Sequence, residues 1–97
     1  MAATTGGTRF ALADDVVLQA AGEELLLVKL TAEDMFALNH TAADVVRRLT
    51  AGVPFAVLLD ELVAAYETDR TDLERDVTTL LDALIARGLL EVVHEQR

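Results

Sequence analysis

The chain has 97 residues, which bounds it to one domain with a modest core. Hydrophobic residues make up 53% and aromatics only 4%, so disorder is excluded and the core must be aliphatic. With 8 basic and 17 acidic residues the net charge is −9, which opposes nucleic-acid phosphate, and the lack of cysteine excludes disulfides and thiolate metal sites.

Met1 to Arg9 is small, polar and glycine-bearing. Residues 1–13 are expected to form a flexible tail, 14–93 the domain, and 94–97 a second tail. The start lacks the basic-then-apolar layout of a signal peptide. Runs such as Leu25-Leu26-Leu27-Val28 fall far short of the roughly 20 residues a membrane span needs. A cytoplasmic location is the default expectation.

Val16 to Ala20 is a β-branched run and reads as a strand. A turn follows, in which Gly22 can take a positive φ. Glu24 to Leu30 is a second strand, Thr31 to Asp34 a second turn, and Met35 to Leu38 a short third strand. Connections this short make antiparallel neighbours.

The period then changes. Ala42, Val45, Val46 and Leu49 recur at helical spacing, with Asn39 or Thr41 able to cap the helix and Gly52 suited to its end. Pro54 fits the first turn of the next helix, whose apolar stripe is Phe55, Leu58, Leu59, Leu62, Val63 and Tyr66. Thr71 and Glu74 have capping-box spacing. Leu73, Val77, Leu80, Leu81, Leu84 and Ile85 then line one face of a third helix, and Gly88 stops it. Leu89 to Val93 is a short apolar tail with strand character. Strands followed by helices predict an α+β fold, a three-stranded antiparallel sheet packed on three helices.

No catalytic constellation is present. Serine and cysteine are absent, so the usual hydroxyl and thiol nucleophiles are missing. His40 and His94 are isolated, one at a helix start and one in the tail. No carboxylate cluster joins them into a metal site. Asp14-Asp15 and Glu23-Glu24 sit at predicted turns, where they are solvated. No catalytic residue, metal or cofactor is expected, and the chain reads as a binding module.

Two features suit a peptide. The third strand runs straight into a helix, and at a sheet edge its free N–H and C=O groups accept another strand. Phe36 and Leu38 share one face of it, Met35 and Ala37 the other. The third helix is longer and more apolar than a minimal bundle requires, so part of its face is free to line a groove.

The chain resembles the PqqD-like family, the peptide-recognition modules of ribosomally made natural products. The likeness runs through Phe36-Ala37-Leu38-Asn39, Thr41 to Leu49, Gly52, Leu58 to Tyr66, Asp76-Val77 and Leu84 to Leu90. It covers residues 14–93. Val53 departs from it, standing where a capping Ser or Thr is expected.

The resemblance implies a winged-helix-like domain that binds the leader segment of a precursor peptide. The leader adds as a strand to the third strand and rests on the third helix. The implied contacts are Met35, Phe36, Ala37, Leu38, Asn39, Leu73, Val77, Leu80, Leu81 and Leu84. It further implies a modifying enzyme as partner: a radical-SAM enzyme, a cyclase or a protease. An open edge also allows pairing with a second copy. The alternatives are a winged-helix DNA-binding regulator and a scaffold subunit of an enzyme complex. A DNA reader needs a basic recognition helix, whereas residues 71–86 carry Arg75 against Asp72, Glu74, Asp76 and Asp82.

Overall fold

The computed structural model describes residues 7–32 and 34–93. Five strands and three helices follow in the order β1(Arg9–Leu12), β2(Val16–Ala21), β3(Glu24–Lys29), β4(Asp34–Leu38), α1(His40–Thr50), α2(Phe55–Tyr66), α3(Arg70–Ala86) and β5(Leu90–Val93). The expected α+β fold is present: β2, β3 and β4 form a three-stranded antiparallel sheet ahead of three helices.

The sheet follows from a two-residue period. Val16, Leu25, Leu27 and Leu38 turn inward and are buried, while Val17 and Met35 turn outward. Gly22 has φ 65° in the two-residue loop between β2 and β3, and Glu23 does not share a positive φ. That combination matches a type II′ turn, whose twist suits a hairpin.

Each helix supplies an apolar stripe to the same core. Val45, Val46 and Leu49 come from α1, Leu58, Leu59 and Leu62 from α2, and Leu73, Val77, Leu81 and Leu84 from α3. Asn39 caps α1, its Oδ1 accepting the Ala42 N–H at 2.8 Å. Arg47 and Arg48 fall in the last turn, where cations offset the helix dipole.

Three expectations are corrected. The tail predicted over residues 1–13 is partly ordered, because Arg9–Leu12 form β1. This strand pairs antiparallel with β5, Phe10 opposite Val92 and Leu12 opposite Leu90, and Phe10 is buried. The pairing joins segments from the two ends of the chain, so no local signal announces it. Second, the Thr71–Glu74 capping box is not the start of α3. Asp69 is the cap, its Oδ1 accepting from Thr71 N at 2.8 Å and Asp72 N at 3.1 Å. Third, Ile85 leaves the core face and is 38% exposed. The predicted C-terminal tail, 94–97, and His94 lie outside the described residues.

Candidate peptide-binding edge

In the sheet order β2-β3-β4, β4 is an edge strand. It pairs with β3 through Asp34–Lys29, Phe36–Leu27 and Leu38–Leu25. Its other side faces α3, and the two backbones barely approach each other. Side chains span the gap.

At one end stands Arg87, the residue that closes α3. Its backbone N–H donates to the Ala83 carbonyl at 3.2 Å, and the next N–H, of Gly88, to the Ile85 carbonyl at 3.0 Å, which fixes its root. Its guanidinium reaches β4, donating from Nη2 to Asp34 Oδ1 at 2.6 Å and to the Met35 carbonyl at 3.4 Å. It also lies 5.0 Å above the Phe36 ring centroid, within cation–π range. The Met35 carbonyl therefore faces away from β3. Backbone groups alternate along a strand, so Ala37 faces the same way and Phe36 faces β3.

At the other end, beyond Leu38, a pocket of about 360 Å³ opens between α1, its cap Asn39 and α3. Asn39, Thr41, Ala42, Val45, Asp76 and Leu80 line it. Asp76, Leu80 and Arg87 lie at i, i+4 and i+11, which is one line along a helix. Eleven helical residues rise about 16 Å, and the five residues of β4 extend about as far. The edge and the helix line match in length.

Of the predicted contact residues, Met35, Phe36, Ala37, Asn39 and Leu80 stand at this edge. Met35 is 59% exposed and Phe36 is half-buried beneath Arg87. Leu38, Leu73, Val77, Leu81 and Leu84 are instead core, none more than 7% exposed. They support the groove from beneath. A helix face of leucine and valine does not reveal which of its residues the bundle consumes. Sequence reasoning missed Asp34, Thr41, Ala42, Val45, Asp76 and Arg87 as site residues. The helical line through Leu80 was the signal available for Asp76 and Arg87.

Among the described residues, no group of three or more His, Cys, Asp or Glu is placed to hold a metal ion. His40 is exposed at the start of α1. No helix of the described residues is long and apolar enough to cross a membrane.

A profile of the family described as Coenzyme PQQ synthesis protein D (PqqD) matches residues 24–90. The chain belongs to the PqqD family. The match takes in β3, β4 and all three helices, hence the whole candidate edge. Two solved structures are similar over nearly their full length. One is TbiB1 in complex with the TbiA(beta) leader peptide, at 28% identity and TM-score 0.79, covering 88% of this chain and 99% of that one. The other is a lasso peptide synthetase B1 complexed with its leader peptide, at 30% identity and TM-score 0.81, covering 86% of this PqqD-family chain and 98% of that one. No curated protein matches.

Proposed function

We propose that this chain is a non-catalytic peptide-recognition module. It captures the leader segment of a ribosomally synthesised precursor by strand addition to β4 and presents it to a modifying enzyme. One observation carries the reading: β4 is an edge strand facing α3 across an open gap. Backbone hydrogen bonds to Met35 and Ala37 supply affinity, and the pocket beside Leu80 supplies selectivity. The similar proteins solved with leader peptides support it.

The enzyme partner is a radical-SAM enzyme, a cyclase or a protease, and the one neighbour named as a lasso peptide synthetase B1 favours the enzymes of lasso peptide formation. A precursor fresh from the ribosome puts this work in the cytoplasm. Without peptide, the same edge is open to a second copy of the chain. DNA binding is disfavoured by the net charge of −9 and by α3 itself. Its Arg70 and Arg75 are each paired with an acid, Asp60 and Asp72.

The test is Ala37→Pro. Proline removes one outward N–H, and an edge strand tolerates it there. A labelled leader peptide of its precursor should bind the wild type saturably by fluorescence anisotropy. The variant should lose that binding while its circular dichroism is unchanged. Equal affinity in both proteins would rule out strand addition at β4.

A further inference from the structure

Arg87 does more than tie α3 to β4. Its contacts to Asp34 and Met35 both use Nη2. Among the described residues, Nε and Nη1 have no hydrogen-bond partner. A guanidinium presents five donors in a rigid plane and binds a carboxylate through two of them at once. The two edges that can do so, Nε with Nη2 and Nη1 with Nη2, share Nη2, so release of the Met35 carbonyl completes one of them.

The place is as informative as the valence. The guanidinium sits at the end of the groove, held by Asp34 and the Phe36 ring. It also covers the Met35 carbonyl, an acceptor an added strand would use, through a long 3.4 Å contact that is easily surrendered. A chain of net charge −9 disfavours acidic peptides in general. An acidic side chain is therefore welcome only where a cation is fixed in the groove. That difference is the basis of discrimination between peptides.

We propose that Arg87 sets specificity at this end of the groove. It cedes the Met35 carbonyl to the peptide backbone, and the Nη2 N–H so released, with the free N–H beside it on the same edge, takes an acidic side chain of the peptide. Asp34 keeps the other Nη2 N–H, so the guanidinium stays in position while it serves a second carboxylate. The inference rests on the peptide-binding reading above and adds the chemistry of one peptide position.

A phage-displayed library of random peptides, selected against the full-length protein, tests it without knowledge of the natural precursor. Wild-type selections should converge on apolar anchors with Asp or Glu at one fixed position. Selections on Arg87→Gln should keep the anchors and lose the acid, and those on Arg87→Glu should replace it with Lys or Arg. For a synthetic peptide from the wild-type pool, changing that acid to its amide should weaken binding about tenfold, the scale of a charge-assisted hydrogen bond. The acid-to-amide comparison on wild-type protein holds whether or not the variants fold. Enriched peptides with no fixed acid would overturn the role of Arg87 and leave peptide binding standing. So would an acid preference that survives in folded Arg87→Gln. Failure to enrich any peptide would remove both readings.

Discussion

Asp44 shows how single side chains hold the helices in register. Its carboxylate accepts from Arg48 Nε at 2.7 Å and from the Tyr66 hydroxyl at 2.8 Å, and Arg48 continues to Glu61 at 2.8 Å. The cluster links α1 to the middle and the C-terminal end of α2. The hydrogen bond from Arg48, with a further one from Tyr66, holds the Asp44 carboxyl below the usual carboxylate range despite partial burial. Asp15 is lowered too, first by its hydrogen bond from Thr31 and then by Lys29. Tyr66 is raised, chiefly by its hydrogen bond to Asp44. For the two carboxyls the folded pKa lies below the unfolded one. Their stabilisation is complete at neutral pH and disappears as pH falls through the lowered folded values. For Tyr66 it is present below the unfolded pKa of about 10 and lost as pH rises through the folded value. Asp44→Asn should cost about 1 kcal/mol at neutral pH, modest because the site is partly solvated. Urea unfolding at neutral and acid pH should show the variant losing less on acidification. An unchanged acid limb would remove Asp44 from that account.

Neighbouring residues on α3 should separate support from recognition. Leu81 is core, and Leu81→Ala should cost about 2–5 kcal/mol in urea unfolding. Leu80 is half-buried at the pocket. Leu80→Asp should keep the fold by circular dichroism and weaken peptide binding, because it sets a second carboxylate beside Asp76 in an apolar wall. The opposite pattern, unfolding at Leu80 and indifference at Leu81, would mean that the face of α3 has been misassigned.

At the scale of elements, what was local was readable. The sheet's alternation, the Asn39 cap and the period of α3 all lie within one segment. The start of α3 was misplaced by two residues because Asp69 and Thr71 are both good caps, and the chain uses Asp69. β1 and β5 were harder. Each has four residues, and each becomes a strand only through the other. A two-stranded ribbon is marginal alone, so burial of Phe10 against the helices must hold it. Phe10→Ala should therefore cost about 3–5 kcal/mol. Amide exchange should then quicken in both β1 and β5, whereas quickening in β1 alone would contradict their mutual dependence. The candidate edge was half legible. Met35, Phe36 and Ala37 follow from β4 being last in its sheet, but Arg87 joins them only through the packing of a helix end against a strand start.

At the scale of the molecule, the chain combines a net charge of −9 with an edge strand, β4, that faces α3. That combination disfavours nucleic acid and suits a peptide at the edge. A gel-shift titration at moderate salt should show no complex with duplex DNA at micromolar protein, and a salt-sensitive submicromolar shift would contradict the charge argument. The most direct test of strand addition follows backbone amide NMR shifts of isotope-labelled protein during titration with a leader peptide of its precursor. Perturbations should concentrate on residues 34–39 and on α3 from Asp76 to Arg87, with the amides of Met35 and Ala37 newly protected from exchange. Binding that instead perturbs β2 or α2, and leaves Met35 and Ala37 exchanging freely, would show that the peptide sits elsewhere.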